Sequence, residues 1–282
     1  MTLPRVAAFT DTYLPTVNGV TYTVQTWRDR WERRGGRMDV VYPGSDHDPG
    51  TGEHPIESIG FPFYEGFRIG VPRVPDDIRR VDLVHSHTPF FIGLGGLRLA
   101  RDTDVPLVAS YHTPSAEYAE YLSVNGTVER VVRHTATAYE RWFLDCASVV
   151  VVPSQETGRH VRESVGVDTP TEVVPNGVET DVFEPRDGNF RERYDLPDGP
   201  LVGYTGRHGH EKQLHLIVEA LAGVDRDLTV VFGGDGPARE DLEAAAAAAD
   251  IDARFLGFLP REDLPAFYST LDVFAFPSPV ET

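Results

Sequence analysis

V-G-Y-T-G-R-H-G-H-E-K-Q, residues Val202 to Gln213, is the stretch on which the reading of this chain turns. The apolar run Leu201-Val202-Gly203-Tyr204 predicts a buried strand. Gly206 and Gly209 break it, and Leu214, Ile217, Val218 and Leu221 then recur at helical spacing. Strand, glycine turn and helix in this order aim backbone N–H groups and the positive end of a helix dipole at one point. Arg207 and Lys212 flank that point. Lys212 is the only lysine in a chain whose other basic positions, histidine aside, are all arginine. Cations at a helix start are misplaced unless an anion joins them, and a compact ammonium suits phosphate. The pattern favours a diphosphate site over a solvated pair of surface charges.

Outward from this point the chain repeats strand and helix. Downstream, helices are expected at 212–222, 237–249 and 261–269, and strands at 228–232, 253–256 and 271–276. Upstream, strands are expected at 6–9, 38–42, 81–84, 107–110, 148–152 and 172–174. Helices are expected at 20–34 and 91–100, through most of 117–147 with a break near Asn125-Gly126, and from about Gln155. Residues 44–75, rich in glycine, proline and charge, read as irregular. Pro175-Asn176-Gly177 breaks the rhythm. The expectation is an α/β chain with two Rossmann-like, doubly wound parallel sheets, one in 1–177 and one in 200–282, joined by a linker at 178–199. Ligands of such sheets sit beyond the carboxyl ends of the strands.

Bulk properties narrow the function classes. The chain has 282 residues and a formal charge of −18, a surface that repels nucleic acid. Acidity with one lysine suggests a high-salt cytoplasm. A single cysteine, Cys146, excludes an internal disulfide and fits a reducing compartment. No apolar run is long enough to cross a membrane, and a strand-like segment so near the N-terminus argues against a signal peptide.

The polar signals fall at the expected strand ends. Asn18-Gly19 stands just before a helix, where a backbone can approach a ligand closely. His85-Ser86-His87 and Tyr111-His112-Thr113 follow two further strands. Zinc is the alternative use of such histidines, but no acidic or cysteine ligand stands nearby in sequence. D-x-D triplets at 46–48, 102–104 and 225–227 lie in a polar loop or before strands, so they read as surface charge rather than as a metal site.

With these residues placed, the chain resembles retaining glycosyltransferases of the GT-B fold, in family four. The matching motifs are D-T-Y-L-P-T-V-N-G-V at 11–20, S-Y-H-T at 110–113, P-N-G-V at 175–178, G-R-x-x-x-E-K at 206–212, G-x-G-P at 234–237, L-G-F-L-P at 256–260 and F-P-S-P-V-E at 276–281. Diacylglycerol glucosyltransferases are the nearest in pattern, and phosphatidylinositol mannosyltransferases come next. The resemblance implies a nucleotide-sugar donor such as UDP-glucose or GDP-mannose, a lipid or glycan acceptor and no essential metal or cofactor. It implies that Arg207 and Lys212 hold the donor diphosphate, that Gly19 lends its backbone to phosphate, and that His112 lies near the reacting sugar. Glu281 would contact sugar hydroxyls, and the backbone at Phe258-Leu259 would read the base. Gly206, Glu211 and Gly234 complete the donor side. Asp11, Tyr13, Asn18, His87 and Tyr111 fall on the acceptor side.

Two further expectations concern surfaces. Tyr118, Tyr121, Leu122, Val128, Val131 and Val132, with Arg130, Arg133 and Arg141, offer either a core-facing helix pair or peripheral contact with anionic lipid at the inner membrane face. The family pattern continues past Glu281, whereas this sequence stops at Thr282. A weakened second domain, exposed apolar surface near Val273, Phe274 and Phe276, and little activity are expected on that ground. The rival readings are a sugar-nucleotide epimerase of the same architecture and a non-catalytic or split-gene remnant that binds nucleotide sugar. An oxidoreductase is disfavoured because no G-x-G-x-x-G follows the first strand.

Overall fold

The computed structural model describes residues 3–16, 18–60, 68–78, 80–112, 126–186 and 188–278, with main chain alone at 126–129 and 131–133. The chain divides into two units, Met1–Gly177 and Val178–Glu281.

The first unit contains β1 Arg5–Phe9, β2 Arg37–Pro43, β3 Glu53–Ile56, β4 Ser58–Gly60, β5 Arg68–Gly70, β6 Leu83–Ser86, β7 Leu107–Ser110, β8 Val149–Val152 and β9 Thr171–Val173. Its helices are α1 Gly19–Arg33, α2 Phe91–Thr103, α3 Gly126–Leu144 and α4 Gln155–His160, which continues as a π turn over Val161–Val165. Seven strands form one parallel sheet in the order β3-β2-β1-β6-β7-β8-β9. Its residues are apolar on both faces because both are covered. Ala7 and Phe9 pack with Val84, Ile92 and Leu97, while Val6 and Ala8 pack with Val24, Val40 and Tyr42. The glycines of α2 permit close approach to β1: a methyl group at Gly96 would meet the Phe9 ring at 2.9 Å.

The stretch 44–75 is not irregular throughout. β3 extends the main sheet beside β2, and β4 pairs with β5 as an antiparallel ribbon. Proline and charge hid these short strands: β3 exists because β2 offers a pairing edge, and β4 and β5 because each pairs with the other; local propensity yields to such context.

The second unit contains β10 Leu201–Thr205, β11 Thr229–Gly233, β12 Asp252–Gly257 and β13 Val273–Phe274, with helices α5 Phe190–Arg193, α6 His215–Ala222, α7 Arg239–Ala248 and α8 Leu264–Thr270. Its sheet is parallel in the order β12-β11-β10-β13. The helix expected from 212 begins instead at His215, after a short 3-10 turn at His210–Lys212 and a left-handed Gln213 with φ of 50°. The strand expected over 271–276 pairs only at Val273–Phe274. Residues 178–199, expected as a linker, pack into this unit: Phe190 and Leu196 are buried with Leu201, Val231, Leu259 and Phe267. Burying a phenylalanine of this kind contributes about 2–3 kcal/mol. Val273, Phe274 and Phe276 are exposed, and Phe274 and Phe276 stack with Tyr204.

In each sheet the winding reverses beside the first strand, between β1 and β6 and between β10 and β13. Crevices for ligands open at such points, at the carboxyl ends.

Candidate functional site

In the second unit, glycines stand at the carboxyl ends of three strands. Gly206 follows β10 with φ of 148°, Gly234 follows β11 with φ of 110°, and Gly257 ends β12 with φ of 69°. The first two loops interlock main chain to main chain. A Cβ at Gly234 would lie 2.0 Å from the Gly206 carbonyl oxygen, and one at Gly236 would lie 2.6 Å from that of His208. The His208 N–H donates to Asp235 O at 2.8 Å, and the Ala238 N–H donates to His208 O at 2.8 Å. Tyr204 supports the turn from below, its hydroxyl donating to Arg207 O at 3.2 Å. The result is a stiff rim with little side-chain bulk, which leaves backbone accessible.

The two cations stand on this rim. Arg207 is 38% exposed, with Nη1 at 4.0 Å from Glu211 Oε1. Lys212 Nζ donates to Ser278 Oγ at 3.5 Å, which brings it to the exit of β13. Lys212 thereby spans the reversal between β10 and β13. Phe258 is exposed, whereas Leu259 is buried under Gly233. The pair therefore offers its backbone and one ring, not two side chains. Glu281 lies outside the described residues.

In the first unit, the residues beyond β1, β6 and β7 form a dry cluster. His85 and His87 are 6% and 1% exposed, and their rings stack at 4.1 Å. His87 stacks in turn on His112 at 5.6 Å, nearly parallel, with Nδ1 at 3.3 Å from His112 Nε2. His85 Nε2 meets Ser110 Oγ at 2.8 Å. Trp27 of α1 lies against both His85 and His87, at 5.3 and 5.5 Å. Burial disfavours the charged imidazolium: it pushes His85 down to about 3 and His112 down to about 4, and holds His87 well below the usual histidine range. All three are neutral rings at pH 7. Separate strands thus bring His112 onto His87, which sequence spacing alone does not show. No group of three His, Cys, Asp or Glu side chains among the described residues has the geometry of a metal site.

His112 also lines a cleft with Trp27, Tyr111, Pro153, Val174 and Asn176. Tyr111 is buried, its hydroxyl directed at Glu140 at 3.5 Å. Asp11 is likewise buried. Its carboxylate accepts from the Ile92 N–H at 2.9 Å and from the Thr88 hydroxyl at 2.5 Å, so it caps α2. Burial raises its pKa to about 6, against the lowering effect of those hydrogen bonds. Tyr13 sits in the core beside Tyr42, its hydroxyl donating to Glu53 Oε1 at 2.9 Å. Asn18 caps α1, accepting from the Thr21 N–H at 2.9 Å while its amide donates to Thr12 Oγ1 at 2.7 Å. Gly19 is exposed, with nothing within 4 Å of where a Cβ would stand.

Asp11, Tyr13 and Asn18 thus shape the site through structural hydrogen bonds. Sequence reasoning passed over Trp27, and it gave no role of their own to Ser110 and Ser278, which stand inside the matching motifs. Trp27 reads as one more apolar helix position, and its place against the histidines depends on how α1 crosses the sheet. Of the arginines considered for lipid contact, Arg141 pairs with Asp145 at 3.5 Å and Asp168 at 3.2 Å. Tyr118, Tyr121 and Leu122 lie outside the described residues, as do the side chains of Val128, Val131, Val132 and Arg133. No helix among the described residues is long and apolar enough to cross a membrane.

Two parallel sheets, each reversing beside its first strand, make this a GT-B fold. Over 97% of its length the chain superposes on sucrose-phosphate synthase of Thermosynechococcus elongatus with a TM-score of 0.72 and 20% identity, covering 75% of that chain. Over 98% it superposes on Anabaena HepE in complex with UDP-glucose with a TM-score of 0.70 and 16% identity, covering 74% of that chain. The chain belongs to Glycosyltransferase Family 4, which matches residues 17–182, and residues 187–282 match Glycosyl transferases group 1. It is 32% identical to a GDP-mannose-dependent alpha-mannosyltransferase of Mycolicibacterium smegmatis, over 99% of this chain and 74% of that protein. It is 34% identical to the 2-deoxystreptamine glucosyltransferase of Streptomyces kanamyceticus, over 69% of this chain and 52% of that protein. It is 26% identical to the alpha-monoglucosyldiacylglycerol synthase of Streptococcus pneumoniae, over 99% of this chain and 67% of that protein. The matched region thus spans from about half to three quarters of these relatives.

Proposed function

We infer that this chain carries the donor-binding and reacting groups of a hexosyltransferase that moves sugar from a nucleoside diphosphate to a lipid or glycan hydroxyl, with retention of the anomeric configuration. The observation that carries this reading is Lys212, the single lysine, held at the reversal of the second sheet, with Arg207 on the same glycine rim. When the bond from sugar to phosphate breaks, its electron pair passes to the β-phosphate oxygen. Two fixed cations favour that charge over the bound donor. The acceptor hydroxyl bonds to the anomeric carbon, and a phosphate oxygen takes its proton. The relatives' names support a sugar donor, with GDP-mannose in one and glucosyl transfer in others, and alpha-linked products. A diacylglycerol acceptor, and with it peripheral contact with the inner membrane face, is the reading we favour over a soluble acceptor.

The test is binding of UDP, GDP, UDP-glucose and GDP-mannose by calorimetry. Arg207→Ala and Lys212→Ala are each expected to weaken diphosphate binding by about 1–3 kcal/mol, or about fivefold to 150-fold. Chelation of divalent cations with EDTA should leave binding intact, because the two side chains supply the positive charge. Unchanged affinity in both variants would end the diphosphate assignment.

A further inference from the structure

The stack of His87 on His112 constrains where protons sit. Both rings are neutral at pH 7, so each carries one proton on one of two nitrogens. His87 Nδ1 faces His112 Nε2 at 3.3 Å, and only one of those two nitrogens can be the donor. The other nitrogen of His87, Nε2, is buried and has no hydrogen-bond partner among the described residues. Two arrangements follow. If His112 donates from Nε2, His87 must keep its own proton on Nε2, as a buried N–H with no acceptor. If His87 donates from Nδ1, its Nε2 keeps only a bare lone pair. Buried orphan donors are the rarer and costlier defect. The Trp27 ring, tilted at 61° to His87, offers at most a weak N–H···π contact in compensation.

We propose that His87 is a positioning residue for His112: it donates Nδ1–H to His112 Nε2 and so locks His112 as the Nδ1–H tautomer. The nitrogen of His112 that does not face His87 is then a neutral N–H donor and not a lone pair. On the proposed reading, in which His112 meets the donor sugar, that nitrogen gives a hydrogen bond to a sugar oxygen and does not act as a base. The second ring of the His-x-His motif thus has a use apart from metal ligation. His85 supports the stack from the far side, held by Ser110. The tautomer of a histidine is set by the bond its other nitrogen makes, which here is the bond to His87.

The experiment is long-range 1H–15N NMR of the imidazoles in the full chain at pH 7, with His112 assigned by its loss in His112→Gln. The wild type should show His112 protonated on Nδ1 and bare on Nε2. His87→Phe keeps a planar ring in the stack but removes the donor, and His112 should then revert to the Nε2–H form. His87→Asn places an amide N–H near the position of Nδ1 and should restore the Nδ1–H form. In parallel, hydrolysis of UDP-glucose and GDP-mannose should show kcat lowered about tenfold in His87→Phe, the worth of one hydrogen bond, with KM unchanged and recovery in His87→Asn. A wild-type His112 protonated on Nε2 overturns the proposal without need of any variant. So does an Nδ1–H form that survives in His87→Phe, or turnover that ignores the change of tautomer. A wild type inert towards both sugars, with the tautomer as stated, counts against the transferase reading and leaves the proton placement standing.

Discussion

The carboxyl ends of the two sheets are built from opposite materials. At the first, between β1 and β6, polar groups are buried: Asp11, His85 and His87 are all under 7% exposed, and the histidines are neutral. At the second, between β10 and β13, the polar groups are one exposed cation, Arg207, and one half-buried cation, Lys212, and the scaffold is glycine backbone at positive φ. The arrangement of the first end depends on burial. That of the second depends on main-chain shape. The two should therefore fail under different insults.

Acid should break the first unit. A histidine held neutral by burial has a folded pKa below its unfolded value of 6.5. The unfolded chain then binds more protons as pH falls through 6.5, so stability present above that value is lost below it. At pH 5 the loss is about 2 kcal/mol for each of His85 and His112, and His87, held well below the same range, adds to it in the same direction. Asp11 acts in the opposite sense. Its folded pKa is raised to about 6, so it binds a proton in the folded state first and returns about 1 kcal/mol between pH 7 and pH 5. The net loss from His85, His112 and Asp11 is on the order of 3 kcal/mol, a large part of a typical domain's stability, and His87 increases it. All three tryptophans, Trp27, Trp31 and Trp142, lie in the first unit, so urea titrations followed by tryptophan fluorescence at the two pH values report on it alone. A midpoint that does not move between pH 7 and pH 5 would show that the cluster is not held neutral.

A single methyl group should break the second unit. Gly234→Ala puts Cβ 2.0 Å from the Gly206 carbonyl oxygen at a φ of 110°. The cost is about 3 kcal/mol of backbone strain and displacement. Hydrogen exchange should quicken in β10 and β11, UDP binding should vanish, and tryptophan fluorescence should unfold as in wild type. Loss of protection in β1 and β6 instead would contradict the division of labour between the two ends.

The second end was the more legible in sequence, for a physical reason. A glycine turn between strand and helix leaves its mark locally: Gly206, Arg207, Gly234 and Lys212 can be picked out without knowing what packs on what. The first end is made by contacts across long stretches of chain. Trp27 meets His85 and His87, Thr88 holds Asp11, and His112 meets His87 only because β6 and β7 are neighbours. Sequence placed His85, His87 and His112 at strand ends. It could not place the third ring on that stack. The 3-10 turn at His210–Lys212 also escaped notice, because its helical spacing is continuous with that of α6.

The smallest effects sharpen the comparison most, because Asn18 and Gly19 adjoin in sequence yet serve different ends. Asn18→Ala removes the cap of α1 and should cost about 1 kcal/mol by urea titration. Gly19→Ala should cost almost nothing. Gly19 lies in a helix, has no left-handed φ and has open space where Cβ would stand, so alanine should change stability by no more than about 1 kcal/mol, in the favourable direction. A residue with no conformational need for glycine is a clean probe of ligand approach. If its backbone receives the donor phosphate, an added methyl group intrudes on that space, and affinity for UDP-glucose should fall severalfold while the urea midpoint stays or rises. If affinity is unchanged, Gly19 makes no close ligand contact, and phosphate binding belongs to the glycine rim of the second unit alone.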